Sequence, residues 1–158
     1  MDANVILEQC ILEEEKYQFP SFSGDDVWDL GCCLVEAARA TGKPLAAEIV
    51  LNGTLVFRYY PAGTGKANER WLGYKRNTVE DTQKSSLRVF AEMEVSGKTL
   101  MDELMDPMKY AACGGGFPLR IKGGYIIGFI GTSGLPHLQD HAALIDGLER
   151  YFKLKGWG

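Results

Sequence analysis

The residue types best suited to chemistry in this chain are His137, Asp140 and His141, which lie near its carboxyl end. Within a predicted helix, the separation of four residues lets His137 and His141 share one face, and Asp140 lies beside them. Two imidazoles and a carboxylate suit a divalent metal ion, and one imidazole suits the axial position of haem iron. Residues of these types also stabilise helix starts by bonding to free backbone N–H groups. The sequence therefore leaves a metal site and a purely structural role open.

A glycine-rich segment leads into these residues. Residues 113–141 contain eight of the 19 glycines of the chain, including the run Gly114-Gly115-Gly116 between Cys113 and Phe117. Glycine is costly to order, so this density indicates tight turns or a close backbone approach to a ligand. The run lacks the G-x-G-x-x-G spacing of dinucleotide-binding loops, which argues against a nucleotide cofactor. The Cys113 thiol is either reactive or buried and inert.

Ser133 and Gly134 lie between a predicted strand and a predicted helix. Free backbone N–H groups at such a junction can bind an anion, so we expect Ser133 and the neighbouring amides to contact an anionic group of a ligand. The run Gly131-Thr132-Ser133-Gly134-Leu135 misses the G-x-S-x-G pattern of a serine nucleophile by one position. Nucleophilic catalysis by this serine is therefore not favoured.

A basic cluster with one aromatic residue occupies the middle of the chain, at Asn68, Trp71, Lys75 and Arg76. Lys75 or Arg76 can supply a counter-charge to a carboxylate or phosphate group. The alternative is a solvated helix face that carries an interface tryptophan. The nearby run Gly63-Thr64-Gly65-Lys66 lacks the first glycine and the hydroxyl residue of a phosphate-binding loop, so no nucleotide site is predicted there.

Composition sets the outer limits on function. A chain of 158 residues predicts one domain over residues 1–158, and a net charge of −4 argues against non-specific binding to nucleic acid. No apolar run approaches the roughly 20 residues that span a membrane, and no signal peptide is evident. The four cysteines show neither metal-ligand nor disulfide spacing, so we expect a reducing, cytoplasmic location.

Local signals predict the elements that must position these residues. Asn52-Gly53 between two β-prone runs is typical of a tight hairpin. Because strands joined by short turns are antiparallel neighbours, we expect an α+β fold with a single antiparallel β-sheet flanked by helices. The predicted elements, in chain order, are a helix near residues 5–14, a helix from Ser23 to Gly42, a hairpin of 45–51 and 54–60, a helical turn at 68–74, a helix from a Thr78 cap to Glu94, a short helix at 99–105, a hairpin of 117–121 and 125–130, and a helix at 136–153.

The order of these motifs resembles the GlcG/HbpS-like family, often labelled the haem-degrading domain family. The resemblance rests on Asn68-x-x-Trp71-x-x-x-Lys75, on Cys113-Gly-Gly-Gly-Phe-Pro, on Gly128-x-x-Gly131-x-Ser133-Gly134 and on Asp140-His141. The chain is similar above all to the subgroup of short cytosolic members of this family. The resemblance implies a profilin-like fold, homo-oligomers built as dimers or assemblies of dimers, and haem or another tetrapyrrole as ligand in some relatives. It carries over no haem ligand, because the axial residue differs between relatives.

We therefore expect an oligomeric cytoplasmic protein that binds a small molecule, either a tetrapyrrole such as haem or a small anion. The pocket is expected between the glycine-rich hairpin, the start of the last helix and the basic cluster. A metal-dependent enzyme that uses Asp140 and His141, and a non-catalytic scaffold, are the alternatives, and catalysis stays open. The residues expected at the ligand are Asn68, Trp71, Lys75, Arg76, Cys113, Gly114, Gly115, Gly116, Phe117, Ser133, Gly134, His137, Asp140 and His141.

Overall fold

One antiparallel sheet of four strands organises the protein, as seen in a computed structural model that describes residues 2–158. The strand order is β2-β1-β4-β3, which confirms the predicted α+β class. The strands are β1 (Ala46–Leu51), β2 (Thr54–Tyr59), β3 (Gly116–Arg120) and β4 (Ile126–Ser133). The helices are α1 (Ala3–Lys16), α2 (Val27–Ala40), which a 3-10 turn (Gly24–Asp26) precedes, α3 (Lys66–Thr82), α4 (Ser86–Ser96) and α5 (His137–Lys155).

Strand β1 is buried along its whole length because helices cover both faces of the sheet. Ala47 and Ile49 face the cluster formed with α2 and α5, whereas Ala46 and Val50 face α3. This alternation follows from the two-residue period of a strand. The sheet is thus the middle of three layers, with α2 and α5 on one side and α3 on the other.

The predicted hairpins are both present. Leu51 pairs with Thr54 across Asn52 and Gly53, which have φ values of 50° and 81° as a tight turn requires. The second hairpin joins β3 to β4, and β4 extends to Ser133, three residues beyond its predicted end. This extension pairs Ser133 with Ala46 and brings the end of β4 to the first turn of α5.

The prediction for residues 68–94 was wrong in its boundaries. One helix, α3, covers the predicted turn at 68–74 and the start of the predicted Thr78–Glu94 helix, and the break comes at Gln83, which has a φ of 62°. Ser85 caps α4 by accepting from the Arg88 N–H, whereas Thr78 lies buried inside α3. Thr78 fails as a cap because its hydroxyl binds the backbone of Ala111, to which it donates at 2.9 Å.

The predicted short helix at residues 99–105 is also wrong, because the structure has hydrogen-bonded turns there. Leu104 has a φ of 60°, which a continuing right-handed helix does not allow. The closing helix is confirmed, with Pro136 as the residue before its first turn. Within residues 2–158, no helix is long and apolar enough to cross a membrane.

Candidate functional site

A cleft of about 380 Å³ opens where α3, the loop before β3 and the first turn of α5 meet. We call it the α3–α5 cleft. Eight of its nine lining residues belong to the set that the sequence singled out, and the ninth is Leu135, which no chemical signal marks. The lining residues are Asn68, Trp71, Lys75, Cys113, Ser133, Gly134, Leu135, His137 and Asp140. Three segments that are distant in the sequence thus meet at one cleft. That this cleft binds a ligand stays a prediction.

A buried ion pair forms the floor of the α3–α5 cleft. Lys75 Nζ donates to Asp140 Oδ2 at 3.0 Å and to the Thr132 carbonyl oxygen at 2.8 Å. Both charged side chains are at most 4% exposed. A lysine buried to this extent needs such a partner, because an isolated charge is costly to remove from water. The pair therefore fixes α3, the end of β4 and α5 relative to one another.

Asp140 also occupies the backbone donors that were expected to bind an anion. Its Oδ1 accepts from the Leu135 N–H at 2.8 Å. Burial raises the pKa of the Asp140 carboxyl, and this effect is opposed by Lys75 and by hydrogen bonds from the Leu135 and Gly134 amides. The carboxylate of the chain itself thus takes the place expected for an anionic ligand group, and it also uses the charge of Lys75.

The glycine run packs against the chain rather than lining the cleft. Gly115 has a φ of +117°, and a Cβ there would lie 2.5 Å from the Thr132 carbonyl oxygen and 2.6 Å from Lys75 Nζ. A Cβ on Gly114 would lie 2.2 Å from the His137 carbonyl oxygen. The glycines are therefore needed because the loop passes directly over the ion pair and the start of α5.

His137 lies at the rim of the cleft with a defined protonation. The Gly114 N–H donates to its Nδ1 at 3.0 Å, and its ring meets the Phe90 ring edge-on at a centroid distance of 4.7 Å. A neutral imidazole has one N–H, so its proton is on Nε2. Burial and the nearby Lys75 charge lower the pKa of His137, which keeps the ring neutral at neutral pH.

His141 lies outside the cleft, on another side of α5. It is buried, and its Nε2 is 2.7 Å from Oε1 of Glu13 in α1. The metal site expected at these residues stays a prediction, but in the structure His137, Asp140 and His141 have three different partners. The reason is that three elements, the loop before β3, α3 and α1, surround the first turns of α5.

The remaining predicted residues divide between cleft, surface and core. Asn68 accepts from the Gly65 N–H and donates to the Ser133 carbonyl oxygen at 3.2 Å, while Trp71 is 46% exposed at the cleft. Arg76 is not part of the cleft, because its guanidinium binds Glu80 and the Gly53 carbonyl oxygen. Phe117 and Gly116 are buried in β3.

Cys113 presents a partly buried thiol to the cleft. Burial raises the pKa of this thiol, and the nearby Lys75 opposes the effect only in part. The sulfur is therefore protonated at neutral pH in the free protein. A thiol of this kind is a weak nucleophile, but a bound metal centre can displace its proton.

Sequence comparison identifies relatives along nearly the whole chain. The profile of a family described as "Haem degrading protein HbpS-like" matches residues 22–149. A UPF0303 protein of Streptomyces avermitilis is 36% identical over 140 residues, which cover 88% of this chain and 86% of that protein. A UPF0303 protein of Paraburkholderia phymatum is 37% identical over 149 residues, which cover 94% of this chain and 90% of that protein.

Solved structures share the fold. The crystal structure of Ybr137w protein aligns with a TM-score of 0.86 at 25% identity, covering 94% of this chain and 88% of that chain. HbpS aligns with a TM-score of 0.65 at 18% identity, covering 84% of this chain and 92% of that chain. A PduOC:Heme complex aligns with a TM-score of 0.68 at 22% identity, covering 82% of this chain and 94% of that chain.

Proposed function

The chain belongs to the HbpS-like family of haem-degrading proteins, and from this premise we propose that it binds a tetrapyrrole in the α3–α5 cleft. The observation that carries the proposal is the convergence of α3, Cys113 and the first turn of α5 on one cleft of about 380 Å³. A volume of this size lies within the range of small-molecule sites, roughly 300–1,000 Å³. The PduOC:Heme complex, a structural neighbour, supports haem as the first ligand to test.

The walls of the cleft suit a flat ligand. Trp71 exposes its indole, and Leu135 adds an apolar side chain. Aromatic side chains attract flat rings through offset or edge contacts in addition to the burial of apolar area. The cleft is open to solvent, so the carboxylates of a porphyrin would lie at its mouth, in water. They would then need no buried cation, which agrees with the pairing of Lys75 to Asp140.

Apart from the paired Lys75 and Asp140, two residues of the cleft carry atoms that commonly bind iron, namely Cys113 and His137. His137 donates from Nε2 and accepts at Nδ1, so it can use Nε2 as an iron ligand only if the Gly114 hydrogen bond opens. Cys113 needs only to lose its thiol proton. When bound, haem supplies an iron that accepts such an axial donor. Cys113 is therefore the better candidate, and His137 fits as a hydrogen-bond donor to the ligand.

A small anion has less support as the ligand. The backbone amide of Leu135 and the ammonium of Lys75, which were expected to bind it, already bind Asp140. A free anion would have to compete with a carboxylate held in the same structure at high effective concentration.

Titration of the protein with haemin tests the proposal. We expect a shift of the Soret band with saturation, together with quenching of Trp71 fluorescence. Trp71→Ala should weaken binding by about fivefold to tenfold, which corresponds to the roughly 1 kcal/mol of an aromatic contact. Cys113→Ser should change the Soret position, and His137→Gln should change affinity with little change in the spectrum.

Arg76→Gln is the matched control, since Arg76 lies outside the cleft and should leave the affinity unchanged. The proposal is overturned if haemin causes no saturable Soret shift. It is also overturned if Trp71→Ala, Cys113→Ser and His137→Gln all retain the affinity and spectrum of the parent protein.

Self-association and a cytoplasmic location, which the sequence predicted, stay predictions. We include a homo-oligomer in the proposed function because the family resemblance implies one. Native mass spectrometry of the purified protein gives the oligomer mass and any retained ligand in one measurement. A monomer at micromolar concentration would contradict the predicted assembly without bearing on the haemin titration.

A further inference from the structure

A second cluster of donor side chains lies where α1 contacts α5, away from the α3–α5 cleft. It consists of Cys10, Glu13 and His141, whose sulfur, carboxylate oxygen and imidazole nitrogen lie within 4.8 Å of one another. We propose that these three residues bind a transition-metal ion of the zinc class. The site goes beyond the proposed tetrapyrrole binding and shares no residue with it.

The chemistry of the donors selects this class of ion. A thiolate, an imidazole and a carboxylate form a mixed set that suits Zn²⁺ or Co²⁺, whereas Mg²⁺ and Ca²⁺ prefer oxygen ligands alone. Metal–ligand bonds of about 2.0–2.3 Å place tetrahedral donors about 3.3–3.8 Å apart. The donor atoms already lie within 4.8 Å, so small side-chain movements suffice. Three protein ligands leave a fourth position for water.

Burial makes the cluster a formed site rather than a surface coincidence. Cys10 is 0% exposed and His141 is 2% exposed. His141 Nδ1 is buried and has no hydrogen-bond partner among residues 2–158, while Nε2 faces Glu13. The protein thus holds the imidazole in place but satisfies only one of its nitrogens, which is unusual for a histidine with a purely structural role.

The surrounding charges leave Glu13 available for a cation. Glu14, the next carboxylate of α1, is already paired with Arg88 at 3.2 Å and accepts from the Ser85 hydroxyl at 3.0 Å. Burial, with Glu13 as the next cause, raises the pKa of the Cys10 thiol to about 12. Binding of the ion therefore releases the thiol proton to solvent as the sulfur–metal bond forms.

Glu13 provides the access path. It lines a surface groove of about 400 Å³ together with Gln9, Tyr17 and Ile145. The Glu13 side chain is 15% exposed, so it connects the groove to the two buried ligands behind it. Cys10 and Glu13 also precede residue 22, where the match to the family profile begins. Two of the three donors thus lie outside the region that the profile covers, whereas His141 lies within it.

Cobalt substitution tests the site directly. Protein treated with a chelator and a reductant is titrated with Co²⁺ and then with Zn²⁺. We expect one equivalent of Co²⁺ to produce a sulfur-to-cobalt charge-transfer band with tetrahedral visible bands, and Zn²⁺ to abolish both. Zinc should also raise the thermal midpoint, because an ion that binds only the folded state stabilises it.

Cys10→Ser should remove the charge-transfer band, and Glu13→Gln and His141→Gln should each weaken Co²⁺ binding by at least about tenfold to 100-fold. Cys113→Ser and His137→Gln are matched controls and should bind Co²⁺ as the parent protein does. This pattern also separates the site from the α3–α5 cleft, because haemin binding should respond to the controls and not to the three ligand variants.

The parent protein alone can overturn the proposal, so the result does not depend on whether every variant folds. Cobalt bands without a sulfur component, or no stoichiometric Co²⁺ or Zn²⁺ binding, would exclude the site. Retention of the full affinity in Cys10→Ser and His141→Gln would exclude it as well.

Discussion

Asp140 and His141 are neighbours in the first turns of α5, but the structure treats them in opposite ways. Asp140 faces α3, where Lys75 and a backbone amide satisfy its carboxylate. His141 faces α1, where Glu13 satisfies one ring nitrogen and the other has no partner within residues 2–158. The first arrangement closes a structural ion pair, and the second leaves capacity for a ligand. Burial alone therefore does not distinguish these two arrangements, whereas unmet bonding capacity does.

The largest loss of stability should come from breaking the ion pair between Lys75 and Asp140. Lys75→Met leaves the Asp140 carboxylate buried without its partner, so we expect a loss of about 3–5 kcal/mol in the free energy of unfolding. The double variant Lys75→Met/Asp140→Asn removes the uncompensated charge and should regain most of this loss. Urea unfolding of the three proteins measures it. Equal stability of the single variant and the parent would show that the pair is not the structural element described above.

A smaller loss should follow from adding one carbon over the same ion pair. Gly115→Ala forces a Cβ against the Thr132 carbonyl oxygen and Lys75 at a positive φ, and we expect it to cost about 2 kcal/mol or more. Gly123→Ala is the control, because Gly123 also has a positive φ, +70°, but nothing lies within 4 Å of its Cβ. That substitution should cost only about 1 kcal/mol, from backbone strain. Similar losses in the two variants would mean that contact with the ion pair adds nothing.

Breaking the Glu13–His141 contact should lower the free energy of unfolding by less, when no metal is present, than breaking the Lys75–Asp140 pair. Glu13→Gln keeps an oxygen that accepts from His141 Nε2–H, so we expect a loss of about 1 kcal/mol or less in chelator-containing buffer. Thermal or urea unfolding of Glu13→Gln and Lys75→Met under the same conditions compares the two losses of stability directly. A loss as large as that of Lys75→Met would place the Glu13–His141 contact in the same structural class as the ion pair.

The smallest effect concerns the pH dependence of stability. The folded-state pKa of His137 lies below its ordinary value of 6.5, chiefly because of burial, so the folded protein binds fewer protons there than the unfolded chain. The contribution of His137 is present above pH 6.5 and is lost as the pH falls through the folded-state pKa. His137→Gln should therefore flatten the decline of the thermal midpoint slightly between pH 7 and pH 5. An unchanged slope would contradict the lowered pKa.

Local sequence signals correctly predicted those helices and strands that depend only on residues close to one another in the sequence. Asn52-Gly53 predicted a hairpin because both positions need a positive φ, and the helix predicted at 136–153 is present as α5. Thr78 misled the same reasoning, because its hydroxyl binds a residue 33 positions away instead of capping a helix. The capping preference of threonine cannot distinguish these two uses.

The α3–α5 cleft and the cluster of Cys10, Glu13 and His141 show that local sequence signals are limited in the same way for functional sites. The sequence singled out Trp71, Lys75 and Asp140 because their types and spacing are unusual, and the fold brings them together. It could not pair His141 with Glu13, which lies 128 residues earlier. Cys10 and Glu13 look like an ordinary apolar position and an ordinary acidic face of α1. Only the folded structure, in which Glu13 of α1 contacts His141 of α5, brings these residues together.

The attachment of Ala111 to Thr78 has a consequence for how this fold tolerates change. The hydroxyl of Thr78 holds both the N–H and the carbonyl oxygen of Ala111, two residues before Cys113, and Asn77 holds the Lys109 carbonyl oxygen. The turns between Thr99 and Met108 expose Met101 and Leu104. We expect insertions or deletions in those turns to shift only the backbone that precedes Lys109, because hydrogen bonds from α3 hold the backbone of Lys109 and Ala111 in place. The connection between α4 and β3 can thus diverge in length and composition while Cys113 keeps its position at the cleft.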